Sequence, residues 1–220
     1  MIATDARRRT AGILLISGPS TLLLAEFISA AAWTDPPYSY TRNFISNLGV
    51  EGPSTLFGQY MASPLFWLMN AGFFAFGLVI LAGIVALPGL SGARRWSVLL
   101  PATVLAIGGV LLGLFPGSGE SMTDGTGDFH SMGAFAGFLG ASVLAIFLGR
   151  MSQQVALSRG MGRALVVVGC VGIVSTVVYL TLLINGGETL GVIGLIERGA
   201  THPVLIGLLV AGTKLATPTK

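Results

Sequence analysis

Six predominantly apolar stretches, at about 11–33, 64–87, 98–115, 129–149, 164–184 and 190–213, leave this 220-residue chain little choice of fold. A helix needs about 20 residues to cross the hydrocarbon core of a bilayer, and even the shortest stretch, at about 18, lies inside the usual range. Strands are a poor alternative, because the runs lack period-two alternation and are too long. Composition agrees. The chain is 53% hydrophobic and 10% charged, whereas a soluble domain carries about a quarter charged residues. A surface this poor in charge would aggregate in water unless lipid covered most of it. The expected fold class is therefore all-α: a polytopic membrane protein forming a single six-helix transmembrane domain over residues 1–220. Its 32 glycines suit close helix packing in lipid.

Charge sets the orientation. Arg7, Arg8 and Arg9 precede the first run, and Arg94 and Arg95 separate the second from the third. Arg150, Arg159 and Arg163 flank the loop at 150–163, and Lys214 and Lys220 follow the sixth run. With six crossings, these ten of the twelve lysines and arginines fall on one side. Asp35, Glu51, Glu120, Asp124, Asp128 and Glu188 fall on the other. An odd number of crossings would scatter this segregation. The expectation is a multi-pass protein of the cell membrane with both termini cytoplasmic, whose positive charge records orientation and not a nucleic-acid partner. The first run has a basic flank and Ala30, Ala31 and Ala32, as a signal peptide would. Its apolar stretch of about 22 residues nevertheless exceeds the usual 7–15, so an uncleaved span is expected. Cys170, the single cysteine, lies in the apolar VVVGCVG and reads as a small packing residue. Neither a soluble domain nor the inverted repeat common in transporters is visible.

Polar residues crowd the outer half. Glu26 falls in the first run and Asn70 in the second, while GLIERGATHP in the sixth brings Glu197, Arg198 and His202. At about 1.5 Å per residue from Leu190, Glu197 lies roughly 10 Å below the outer edge. An ionisable group there costs about 2.5 kcal/mol or more unless it is paired or faces water. Glu26, and second Asp128, are candidate partners for Arg198. Two readings stand: a structural ion pair locking the first and sixth helices, or an arginine that contacts an anionic headgroup or substrate. Arg198 and His202 share a helix face by their i, i+4 spacing. Pro203 frees the carbonyl of Gly199, which predicts a kink or break at RGATHP. Such a break either borders a binding site or is only a bend.

Between the first two runs, TRNFISNLGVEG at 41–52 predicts a short amphipathic helix over 42–48 in the first outer loop, ended by Gly49. Asn43, Ser46 and Asn47 would share one face, and Phe44, Ile45 and Leu48 the other. The polar face would meet either the mouth of the bundle or only water. Ser63-Pro64 predicts the start of the second helix. Residues 116–131, PGSGESMTDGTGDFHS, read as a flexible loop, after which Asp128 caps the fourth helix and His130 falls in its first turn. A neutral imidazole there could act as a base or a ligand. GAFAG at 133–137 is a close-packing motif for an internal or an outside partner.

The pattern NxISxLG after the first helix (Asn43, Ile45, Ser46, Leu48, Gly49), FP before a polar loop (Phe115, Pro116), a histidine opening the fourth helix (His130) and ER in the sixth (Glu197, Arg198) resembles a six-helix prokaryotic membrane family known as domain of unknown function 998. The resemblance spans nearly the whole chain and implies a six-helix bundle. It implies no reaction. His202 and Glu26 match nothing in that pattern and are candidates by position alone.

Three functions are compatible with these residues. The favoured one is an outward-facing polar pocket that binds a lipid headgroup or a small polar or anionic ligand, with Asn43, Ser46, Asn47, Arg198, His202 and Glu26 as binding residues. Arg198 would contact the anion and the amides would orient it. Because the cytoplasmic halves of the runs are almost purely apolar, a second gate for alternating access is missing. The second is a hydrolase-like membrane enzyme acting on a lipid at the outer leaflet. His130 would be its base, oriented by Asp128 or Glu197, with Ser46 as nucleophile. The third is a structural subunit of a membrane complex or homo-oligomer. No metal or cofactor is expected. Zinc sites need about three protein ligands, which His130 and His202 supply thinly. Haem ligation fails on depth, with His202 about 18 Å below Leu190 and His130 near the surface.

Overall fold

A computed structural model describes residues 2–186 and 190–217. Glu188 and Lys220, assigned above to opposite faces, lie outside the described residues. Among the described residues, six helices are long and apolar enough to cross a membrane: α1 (Ile2–Ala32), α2 (Phe66–Ala86), α3 (Gly92–Leu114), α5 (Gly127–Arg150), α6 (Arg159–Ile184) and α7 (Ile193–Ala216). A single turn, α4 (Ser121–Asp124), punctuates the 116–131 segment, which is thus not plain loop. Helices dominate because only internal pairing satisfies backbone groups in hydrocarbon. Most spans extend past the apolar runs. α1 begins well before residue 11 because Ala and Arg are good helix formers in water as well.

The spans pack in a ring, α1–α2–α3–α5–α6–α7 and back to α1, with α5 and α7 also touching across it. α6 is peripheral: 17% of its most apolar window is buried, against 44–50% for the other five. Cys170 sits on its exposed side, so it is not the internal packing residue expected. The GAFAG motif faces inward. A Cβ on Gly108 of α3 would lie 2.7 Å from the carbonyl oxygen of Gly133 and 2.6 Å from the nitrogen of Gly137, so the motif seats α5 on α3.

Cap expectations needed revision. α2 starts two residues beyond Pro64, and the buried Ser63 hydroxyl has no hydrogen-bond partner among the described residues. α5 starts at Gly127, which places Asp128 inside the first turn, exposed, and not at the cap. α7 runs unbroken through Pro203. At the cationic end, Arg95 closes the end of α2: its guanidinium donates to the carbonyls of Ile84 (2.8 Å), Leu87 (2.8 Å) and Val85 (2.5 Å). Carbonyls at a helix C-terminus lack the i+4 partner of the interior, although that of Ile84 also accepts from the Leu87 N–H at 3.3 Å.

The opposite end is roofed by the α1–α2 connection. It contains a 3-10 turn (Ile45–Gly49) and a hairpin of β1 (Ser54–Leu56) and β2 (Gln59–Met61). The hairpin was not anticipated. Its turn residues, Phe57 (φ 51°) and Gly58 (φ 70°), both have positive φ, as a two-residue hairpin turn of the favoured twist requires. Where a short amphipathic helix was expected over 42–48, the chain forms a 3-10 helix over Ile45–Gly49. The reason is competition for backbone groups. The carbonyls of Tyr40 and Asn43 accept from Arg198, that of Phe44 accepts from Tyr38, and the N–H of Ile45 donates to Glu197.

Candidate functional site

Two arrangements meet beneath this roof. The first is centred on Arg198 of α7, which is 5% exposed. Its Nε donates to Glu26 Oε1 of α1 at 2.9 Å. Its Nη1 donates to the carbonyls of Tyr40 (2.7 Å), Gly194 (2.9 Å) and Asn43 (3.1 Å), and its Nη2 to the Tyr38 hydroxyl. The guanidinium carbon also lies 5.0 Å from the ring centre of Tyr40 and 5.6 Å from that of Tyr38, a cation–π geometry. The other Glu26 oxygen contacts His202 Nε2 at 2.8 Å. Glu26 is 1% exposed, so two partners from α7 compensate its burial. Burial pushes the Tyr38 hydroxyl far above its ordinary pKa, against the opposing pull of Arg198. It therefore keeps its proton and donates to the Phe44 carbonyl at 3.0 Å. The route from Glu26 through Arg198 and Tyr38 to Phe44 ties α1, α7 and the roof together.

The second arrangement is a cavity of about 140 Å³ between the roof, α5, α6 and α7. Ser46, Asn47, His130 and Glu197 line it, together with Phe44, Phe57, Phe138 and Tyr179. Glu197 is 5% exposed. Its Oε2 accepts from the Ile45 N–H at 2.6 Å, and Oε1 has no hydrogen-bond partner among the described residues. His130 Nδ1 lies 2.8 Å from the Phe115 carbonyl. A carbonyl only accepts, so Nδ1 carries the proton and Nε2 keeps a lone pair. An apolar cavity of about 50 Å³ adjoins it deeper in the bundle, and Ser46, Ala134, Phe138 and Glu197 line both.

The predicted residues thus divide. Glu26, Asn43, Arg198 and His202 belong to the ion-pair cluster. Ser46, Asn47, His130 and Glu197 line the cavity. Asp128 stands apart, since Phe115 and not Asp128 or Glu197 holds His130 Nδ1. Asn43 turns toward the loop, where its Oδ1 accepts from the Ser39 N–H at 2.9 Å. Asn47 is buried and donates to Gln59 Oε1 at 2.6 Å.

Several participants were missed. Gln59 holds Asn47 and also donates to the Arg42 carbonyl at 2.8 Å. Three residues on each side of Phe57-Gly58 could have signalled its hairpin. Tyr179 is the only tyrosine inside an apolar run, and an aromatic ring with a polar tip there was a usable cue.

Comparison with known families matches residues 18–214 to a family described as a protein of unknown function, DUF998. The chain belongs to this family. No curated protein and no solved structure matches it. The DUF998 match takes in α2 to α6 whole, most of α7 and the second half of α1, and with them the ion-pair cluster, the roof and the cavity.

Proposed function

We propose that the 140 Å³ cavity binds a lipid headgroup or a small polar ligand from the side of the membrane opposite the arginine-rich end. One observation carries this reading. The cavity has apolar walls, yet residues that line it carry polar atoms with no hydrogen-bond partner among the described residues, foremost Glu197 Oε1 and His130 Nε2. That is the usual build of a ligand site. The positive-inside rule makes the arginine-rich end cytoplasmic, so the cavity opens outward, both termini are inside, and the membrane is the cell membrane. Arg198 is engaged by five protein acceptors, which moves the ligand from Arg198 to the cavity and weakens the case for an anion. Native mass spectrometry of detergent-purified protein tests the proposal. A bound lipid or small molecule should survive gel filtration with the wild type and be lost in Ala134→Phe, which fills the cavity from α5. Equal retention by both proteins, or by neither, would refute it.

A second reading rests on Ser46, His130 and Glu197 lining one cavity: a lipid hydrolase with His130 as base and Ser46 as nucleophile. A fluorophosphonate probe should then label Ser46, and no labelling of the folded protein sinks this version.

A further inference from the structure

We infer that the ligand of this cavity presents an organic ammonium group, quaternary in the best case, to Glu197 and a wall of aromatic rings. The inference rests on the binding reading above and names its chemistry. Four rings that line the cavity form a chain. Phe57 and Phe44 have centroids 6.4 Å apart, Phe44 and Tyr179 5.9 Å, and Tyr179 and Phe138 5.7 Å. Successive rings are turned by 84°, 81° and 77°, an edge-to-face chain along the cavity lining. Ring faces attract cations, and desolvated aromatic cages are the established way of holding quaternary ammonium.

Charge points the same way. Among the described residues, no lysine or arginine lines the cavity, and Glu197 is its one carboxylate. Its unpartnered Oε1 is the feature that most demands a ligand. A buried carboxylate with an empty hydrogen-bonding position is costly within a membrane span. Arg198, next to it in sequence, lends Glu197 charge but no hydrogen bond, because its donors go to Glu26, Tyr38 and backbone carbonyls. A hard metal ion is a poor match. Calcium takes about 6–8 oxygen ligands, and the cavity offers one free carboxylate oxygen among aromatic rings. A weakly hydrated ammonium needs few hydrogen bonds and gains from the rings. The neutral His130 ring, with its proton on Nδ1, keeps Nε2 as an acceptor and not a donor, which also disfavours an anion. The ammonium could belong to a zwitterionic lipid headgroup or to a free solute, since both present the same group.

The test uses the full chain purified in a maltoside detergent. Choline and tetramethylammonium are titrated by calorimetry with glycerol phosphate as the anionic probe. Phosphatidylcholine and phosphatidylglycerol are compared by native mass spectrometry. Glu197→Gln and Tyr179→Leu should each weaken the cationic probes about tenfold or more without changing glycerol phosphate. If Glu197→Gln does not fold, Phe57→Leu at the exposed hairpin tip carries the same test. Binding of phosphatidylcholine without choline identifies a lipid source, and choline without phosphatidylcholine a solute. The inference falls if no ammonium probe binds, if the anionic probe binds as well, or if the substitutions leave binding unchanged. A species that Ala134→Phe displaces but that lacks an ammonium group would overturn this inference alone. Failure of Ala134→Phe to displace anything overturns the pocket as well.

Discussion

Arg198 shows how one buried charge can organise a roof. Its donors reach α1, α7 and the connecting loop together, and a lysine offers no planar fork with which to do the same. Arg198→Lys should therefore destabilise the protein nearly as much as Arg198→Ala. Removing one partner of a buried pair costs about 3–5 kcal/mol, which should appear as a clear drop in melting temperature by scanning fluorimetry. A double-mutant cycle with Glu26→Gln should show strong coupling. Additive losses would mean that the 2.9 Å contact contributes little. Gly194 belongs to the same unit, because a Cβ there would lie 2.2 Å from the Asn43 carbonyl oxygen. Gly194→Ala should push the loop off α7, at about 1–3 kcal/mol.

At the scale of elements, the hairpin and the α3–α5 connection are joined by Ser54. Its hydroxyl donates to Glu120 Oε2 at 2.6 Å and accepts from the Gly119 N–H at 2.9 Å. The hydrogen bond from Ser54 holds the Glu120 carboxyl below its ordinary pKa. A depressed carboxylate stabilises the docked form above its unfolded pKa and stops doing so as pH falls through the lower folded value. Amide exchange at Gly119 should therefore stay protected at neutral pH and accelerate only below the ordinary carboxylate range. Ser54→Ala should abolish that protection at every pH. The hairpin turn holds a conflict of its own. Phe57 sits at φ 51°, where a bulky residue is disfavoured by about 1 kcal/mol. Phe57→Asn should stabilise the hairpin while weakening ligand retention, since it removes one ring of the cavity wall. Retention unchanged in that variant would argue that the ring has no part in binding.

For the molecule as a whole, the ring of helices and the segregated charges make a topological prediction. In a Cys170→Ala background, Glu51→Cys should react with a membrane-impermeant maleimide on intact cells, and Arg94→Cys only after permeabilisation. The opposite pattern would reverse the orientation and turn the cavity toward the cytoplasm. Packing of the ring depends on close backbone approach along α3 and α5. Gly133→Leu should cost about 1–3 kcal/mol by overpacking that seam, read as a lower melting temperature.

The number of spans, the helical class and the crowding of polar residues at one end were legible because each is a property of residues counted along the chain. Runs of apolar side chains have one stable solution in lipid, and that solution is local. Partner choice was not legible. Arg198 could have faced a ligand or Glu26, and only the packing of α1 against α7 put the carboxylate at 2.9 Å. Asn43, Ser46 and Asn47 looked alike by spacing. Backbone groups of the loop were captured by Arg198, Tyr38 and Glu197, which left a 3-10 helix over Ile45–Gly49, and the Asn43 and Asn47 amides met on Gln59 of the hairpin while Ser46 lined the cavity. Sequence by itself determined which segments are long and apolar enough to cross a membrane, since hydrophobicity acts segment by segment. Tertiary structure decided which polar groups satisfy one another and which face an open cavity, since that depends on contacts between residues 150 or more positions apart, such as Ile45 and Glu197.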